Sequence, residues 1–239
     1  MSVAAWAKRR WLWVAIGVPV LLVVLAVGGT FVYIHFIESD APPPLAFSSV
    51  PASSDGDSAS AAPLTGGVDG TWTASDSSVV GYRVKEVLFG QDNEAVGRTN
   101  AVTGDLTISA TTVNTAKFTV DMTKVSSDSG QRDGQFRGRI MQTSQFPTST
   151  FELTQPIQLP SIPANLEEIS VKATGKLTLH GVTKDVTIDL KARLDGSNLD
   201  VNGTIPITFS DYGISNPSGG PASVGDNGQI ELLLVFHRS

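Results

Sequence analysis

The sequence predicts an all-β fold: an eight-stranded antiparallel barrel, preceded by one N-terminal transmembrane helix and a flexible linker. Three observations predict it. From residue 70 onward apolar and polar residues alternate with a period of two; Gly, Asn, Asp and Ser clusters separate the alternating arms; and one uncharged apolar run, residues 14–32, stands ahead of them. A period of two gives each arm a single dry face. Only further strands of the same kind are present to cover those faces, so the sheet closes on itself.

The apolar run of about 19 residues would span roughly 28 Å as a helix, close to the hydrocarbon thickness of a bilayer. Trp11, Trp13 and Tyr33 sit at its two ends, where amphipathic rings prefer the interface. Lys8, Arg9 and Arg10 precede it, and Glu38 and Asp40 follow. The expectation is a cytoplasmic N-terminus over 1–10, a span over 11–37, and a single-pass protein of the cell membrane with its remainder outside the cytoplasm. A cleaved signal peptide is the alternative, but the run exceeds the usual signal core and no clean A-x-A site follows. Residues 38–69, with Pro42-Pro43-Pro44 and many Ser and Ala, have too little periodic apolar content to fold and read as a tether.

Residues 70–239 form the barrel domain. Val80, Tyr82 and Val84 make a first arm; Val102 to Ile108 a second; Ala116, Phe118, Val120 and Met122 a third; Phe151 and Leu153 a shorter one. Residues 171–194 form a hairpin around His180-Gly181, with Lys172, Lys176, Asp185, Asp189, Lys191 and Arg193 on the wet face. Leu199 to Phe209 and Ile230 to Phe236 complete eight, a number at which a barrel can fill its interior or hold one small ligand. Residues 131–145 carry the three- and four-residue spacings of a short helix, with Asp133 and Arg137 placed for an ion pair. Residues 210–228 read as a long loop.

Composition excludes several chemistries. Cysteine is absent, which removes disulfides, thiol nucleophiles and Cys-ligated metals. The three histidines, His35, His180 and His237, lack metal-ligand spacing, and there is no nucleophile elbow or phosphate loop. No catalytic residue, metal or cofactor is expected. Beyond the N-terminal cluster the chain holds 14 basic against 23 acidic residues (17 less 3), a balance of −9 that argues against nucleic acid. Asn202-Gly203-Thr204 matches a glycosylation sequon but falls within a predicted strand.

The run Gly175-Lys176-Leu177-Thr178-Leu179-His180-Gly181-Val182-Thr183-Lys184 resembles the hairpin signature of the YceI-like family, extracytoplasmic bacterial lipocalin-like barrels that bind polyisoprenoid lipids. Asp133-Gly134-Gln135-Phe136-Arg137, Phe146-Pro147-Thr148-Ser149-Thr150-Phe151, the opening Trp72 with Asp76-Ser77-Ser78-Val79, and Phe209 to Ile214 followed by Val224-Gly225-Asp226 resemble further family patterns. Gln135 and Ser77 stand where histidines are usual, and typical members are secreted rather than anchored. The resemblance implies a long isoprenoid chain held in the barrel with its polar end near the mouth.

By alternation, the side chains that would line such a site are Tyr82, Phe118, Val120, Phe151, Leu177, Leu179, Ile188, Leu190, Ile205, Ile207 and Phe209; the same residues would serve an ordinary dry core. Arg98, Arg132, Arg137 and His180 are candidates for a lipid head-group, or plain surface charges. Gly104, Gly175 and Gly203 on the inward phase either leave room for a ligand or mark bends. The expected protein sequesters or carries a polyisoprenoid or similar amphiphile and is not an enzyme; a non-enzymatic envelope interaction module with a filled barrel is the alternative. Pairing of barrels into a homodimer is left open.

Overall fold

The structure is a computed structural model that describes residues 18–19, 41–47, 67–220 and 222–239. It divides into two compact units, Met1–Ala41 and Pro42–Ser239. The expected span at 11–37 lies outside the described residues except for Val18 and Pro19, and among the described residues no helix is long and apolar enough to cross a membrane.

The named strands of the second unit all pair antiparallel. Its strands are β1 (Gly70–Ala74), β2 (Val79–Leu88), β3 (Gln91–Thr99), β4 (Val102–Ser109), β5 (Thr112–Asp121), β6 (Thr148–Leu153), β7 (Ile157–Gln158), β8 (Ile169–Leu179), β9 (Val182–Asp195), β10 (Asn198–Thr208), β11 (Ala222–Val224) and β12 (Asn227–Arg238). Eight of them close a ring in the order β1-β4-β5-β6-β8-β9-β10-β12, with β12 returning to β1. Closure removes the unpaired edges that an open sheet would expose.

The ring's eighth member is β1, which the sequence reading did not assign. The arm expected there, Val80 to Val84, lies in β2, which pairs with β12 further along and with β3. Along the edge away from β10, one long strand therefore serves two partners: Phe236, His237 and Arg238 pair with β1, while Gln229 to Leu233 pair with β2. Ser78 makes the handover. Its buried hydroxyl donates to the Val235 carbonyl at 3.2 Å and accepts from the Val235 N–H at 3.0 Å, so the backbone stays satisfied where the partner changes.

The β8–β9 hairpin turns on His180 (φ 50°) and Gly181 (φ 75°), two consecutive left-handed residues, as a type I′ turn requires. Its outer face carries the cross-strand pairs Lys172–Asp189 and Lys176–Asp185 that the alternation predicts.

The barrel has two distinct ends. At one, Trp72 and Phe236 are wholly buried among Leu106, Leu194 and Leu199, and the Trp72 indole N–H donates to the Val68 carbonyl at 2.8 Å. At the other end the chain is irregular: residues 122–147 and 209–226 both emerge there, beside the β8–β9 turn. The expected short helix runs Gly130–Gln135 (α1) and continues as a single π-turn, Phe136–Ile140. The expected long loop begins with a 3-10 turn, Phe209–Tyr212, and contains β11.

Candidate functional site

All eleven side chains expected to line the interior belong to the two apolar clusters inside the barrel. They are not equally buried. Leu177, Leu179, Ile188, Ile205, Ile207 and Phe209, nearer the irregular end, are buried; Tyr82, Phe118, Val120, Phe151 and Leu190 are only partly so. Val171, Val201, Ile230 and Leu232 share their inward phase and are also partly exposed, although the sequence reading did not single them out. In a closed barrel an inward side chain stays accessible only where space of at least water size lies beside it. That space is lined by carbon, so water there finds few partners.

The inward glycines explain how the space is kept. A Cβ on Gly175 would stand 2.5 Å from the Phe151 ring, one on Gly104 would stand 2.7 Å from the Phe118 ring, and one on Gly203 would stand 2.5 Å from Leu190. These glycines do not border empty volume, as the first alternative had it. They let a large side chain on the adjacent strand lean over the wall; at Gly175 and Gly104 that side chain is a ring, the arrangement known in sheets as aromatic rescue of glycine.

Phe136 closes part of the irregular end. It is buried and stacks on Tyr82 with ring centroids 5.1 Å apart and planes at 14°. Burial holds the Tyr82 phenol above its ordinary range, against a smaller opposing pull from Arg132. Asp133 does not pair with Arg137. Its carboxylate instead accepts from the Ser127 N–H at 2.8 Å and the Ser127 hydroxyl at 2.7 Å, which anchors α1. Arg137 donates to the Val125 carbonyl at 3.5 Å, and Arg132 pairs with Asp128 and with Glu86, the latter at 3.5 Å.

His180 is buried rather than a surface charge. Nδ1 lies 3.1 Å from the Tyr212 carbonyl and, as the N–H tautomer, donates to it. Its ring meets the edge of Phe146 at 4.7 Å, and Nε2 has no partner among the described residues. Phe146 also packs so tightly over Gly181 that a Cβ there would stand 2.5 Å from its ring. The hairpin turn, the residues after the π-turn and the 3-10 turn are thus locked together at one end.

Arg98 is not at the mouth. It lies on the outer wall with Arg83, and both guanidinium groups hold Glu231, at 2.7 Å and 3.3 Å. Neither sequence alternation nor motif marked this cluster; the signal was Glu231 itself, a lone carboxylate inside an otherwise apolar strand. His237 bonds the Asn198 side chain at 2.9 Å, and His35 lies outside the described residues. Among the described residues no three His, Asp or Glu side chains are grouped as a metal ion would need.

The YceI-like domain matches residues 72–236, which run from within β1 to within β12 and so reach every strand of the closed ring. The chain belongs to the YceI-like family. A UPF0312 protein of Pseudomonas aeruginosa (strain LESB58) is 34% identical over 164 residues, covering 64% of this chain and 76% of that protein. One from Shewanella sp. (strain ANA-3) is 32% identical over 149 residues, covering 59% and 72%. Among solved structures, a polyisoprenoid binding domain from Saccharophagus degradans implicated in plant cell wall breakdown superposes with a TM-score of 0.56 at 16% identity, covering 71% of this chain and 98% of that one. At that identity the likeness speaks for the fold. The YceI-like motifs now have physical reasons: Asp133 anchors α1, Phe136 packs on Tyr82, Phe146 packs on Gly181, and His180 ties down the 3-10 turn.

Proposed function

We propose that this YceI-like protein binds a polyisoprenoid or similar long-chain amphiphile inside its barrel, sequestering or carrying it. The observation that carries the reading is the set of inward apolar side chains that a closed barrel leaves partly exposed, from Phe118 and Phe151 to Leu190 and Leu232. Each methylene buried there contributes about 0.8 kcal/mol, and no hydrogen bond has to be matched. The fold shared with a domain described as polyisoprenoid binding supports the same ligand class. The tail lies toward the Trp72 end, and the head-group lies at the irregular end near Arg132, Arg137 and His180. The protein has no catalytic role and needs no cofactor. It is tethered by its N-terminal apolar run with the barrel outside the cytoplasm. A filled barrel acting only as an interaction module is the weaker reading, because packed interiors do not leave inward side chains accessible.

Native mass spectrometry of the full chain, released from mild detergent without added lipid, tests the reading. The expected spectrum shows a bound isoprenoid mass, or uptake of a prenyl quinone or prenyl phosphate when offered. A chain that is repeatedly empty and takes up neither overturns it.

A further inference from the structure

The outer wall of the barrel carries a second, polar site. Glu231, on the outward phase of β12, is wholly buried, and Arg83 is nearly so, although neither points into the core. They are covered by residues 42–47 of this chain. Arg83 donates to the Pro42 carbonyl at 2.6 Å and to Glu94 at 2.6 Å; Arg98 donates to the Pro43 carbonyl at 2.5 Å and to Glu231 at 2.8 Å. The Leu45 N–H reaches Glu231 at 3.4 Å, and Asn202, from β10, donates to the Leu45 carbonyl at 2.9 Å. Phe47 lies on the guanidinium of Arg193 at 4.6 Å, and Arg193 is held by Asp200 at 3.2 Å.

We infer that this wall is a recognition site for an extended, proline-rich peptide, occupied here by residues 42–47 of the same chain. The chemistry fits such a segment. Three successive prolines offer carbonyls that accept and no N–H that must donate; Arg83 and Arg98 supply donors to the Pro42 and Pro43 carbonyls. Leu45 has the first N–H after the prolines, and it meets the site's buried carboxylate. A polyproline segment is already extended before it docks, so little ordering entropy is lost. The contacts run to backbone atoms and end on one aromatic ring. Residues 42–47 are therefore a docked strap rather than part of a free tether, and the strap is independent of whether the barrel holds lipid.

Amide exchange followed by NMR on the full chain in detergent tests this. The Leu45 amide is expected to exchange at least about tenfold more slowly than a random-coil amide, at a rate independent of protein concentration. Replacing residues 42–47 by Gly-Ser repeats should shift the Arg98 and Asn202 side-chain signals and leave the barrel amides protected. Millimolar acetyl-APPPLAF-amide should restore those signals in the replaced chain, and the same peptide with Leu45→Pro, lacking the N–H to Glu231, should bind about tenfold more weakly. A Leu45 amide exchanging at the random-coil rate, protection that rises with concentration, or signals indifferent to both replacement and peptide would each overturn the inference.

Discussion

Phe151 covers Gly175. The two residues sit on neighbouring strands, β6 and β8, and a Cβ at position 175 would stand 2.5 Å from the ring and 2.5 Å from the Glu152 carbonyl. Gly175→Val must therefore drive the ring toward the axis and strain the wall. The expected cost is about 1–3 kcal/mol, the usual range for overpacking. Denaturant titration measures it, and lipid stoichiometry by native mass spectrometry should fall in the same variant.

Phe136→Ala removes the side chain stacked on Tyr82. Loss of a buried phenylalanine costs about 3–5 kcal/mol, and the irregular end should open more often. Transfer of a bound prenyl quinone to acceptor vesicles, followed in a stopped-flow instrument, should then be faster than in the parent. Phe136→Leu, which keeps most of the volume, should lie between the two.

His180→Asn keeps a residue that tolerates the left-handed turn but loses the bond to the Tyr212 carbonyl. The expected loss is about 1 kcal/mol, with faster exchange of the Gly213 and Ile214 amides. His180→Ala adds turn strain and should cost more.

Two aspartates pull the acid stability curve in opposite directions. Burial of Asp200 raises its carboxyl pKa, outweighing the bond from Arg193. A raised folded value means a contribution that is complete below the unfolded pKa and lost as pH rises through the folded one. Asp121 is the reverse: the Thr123 hydroxyl and N–H hold its pKa down, so its contribution is present above the unfolded value and lost as pH falls through the folded one. Urea midpoints across the acid range should show Asp200→Asn flattening the decline just above the ordinary aspartate range, and Asp121→Asn flattening the fall below it.

A chain without cysteine makes sidedness easy to read. Ser161→Cys places one thiol on an exposed loop of the barrel unit. A membrane-impermeant maleimide should label it in intact cells, and lipid extraction of the membranes should be needed to release the labelled chain. Labelling only after lysis would contradict the proposed orientation.

The alternation in residues 171–194 made the central hairpin legible, because both arms are long, the apolar phase is unbroken, and His180-Gly181 marks the turn. The inward set was legible for the same reason, down to Phe118 and Leu190. Strand β1 was not, since Gly70–Ala74 offers only Trp72 and Ala74 to its inner face. Strand β3 was hidden by its composition: Gln91 to Arg98 is largely polar because Glu94 and Arg98 on its outer face meet Arg83 and Glu231, while Asn93 on the opposite face meets Glu86. Asp133 and Arg137 have the spacing of a helical ion pair, yet Ser127 offered the carboxylate two donors at once, and local geometry won. The role of Gly175 could not be read from its own position, because it depends on Phe151 in the neighbouring strand β6, distant in sequence and brought alongside only by the folded sheet.

Trp72 and Phe236 are wholly buried at one end of the barrel and the irregular segments lie at the other, so on the proposed reading cargo enters and leaves by the irregular end. On that reading a lipid that enters tail-first backs out along the way it came. A donor that fills such a barrel and an acceptor that empties it then meet the same rim by turns, so the proposed carriage separates loading and delivery in time rather than in space.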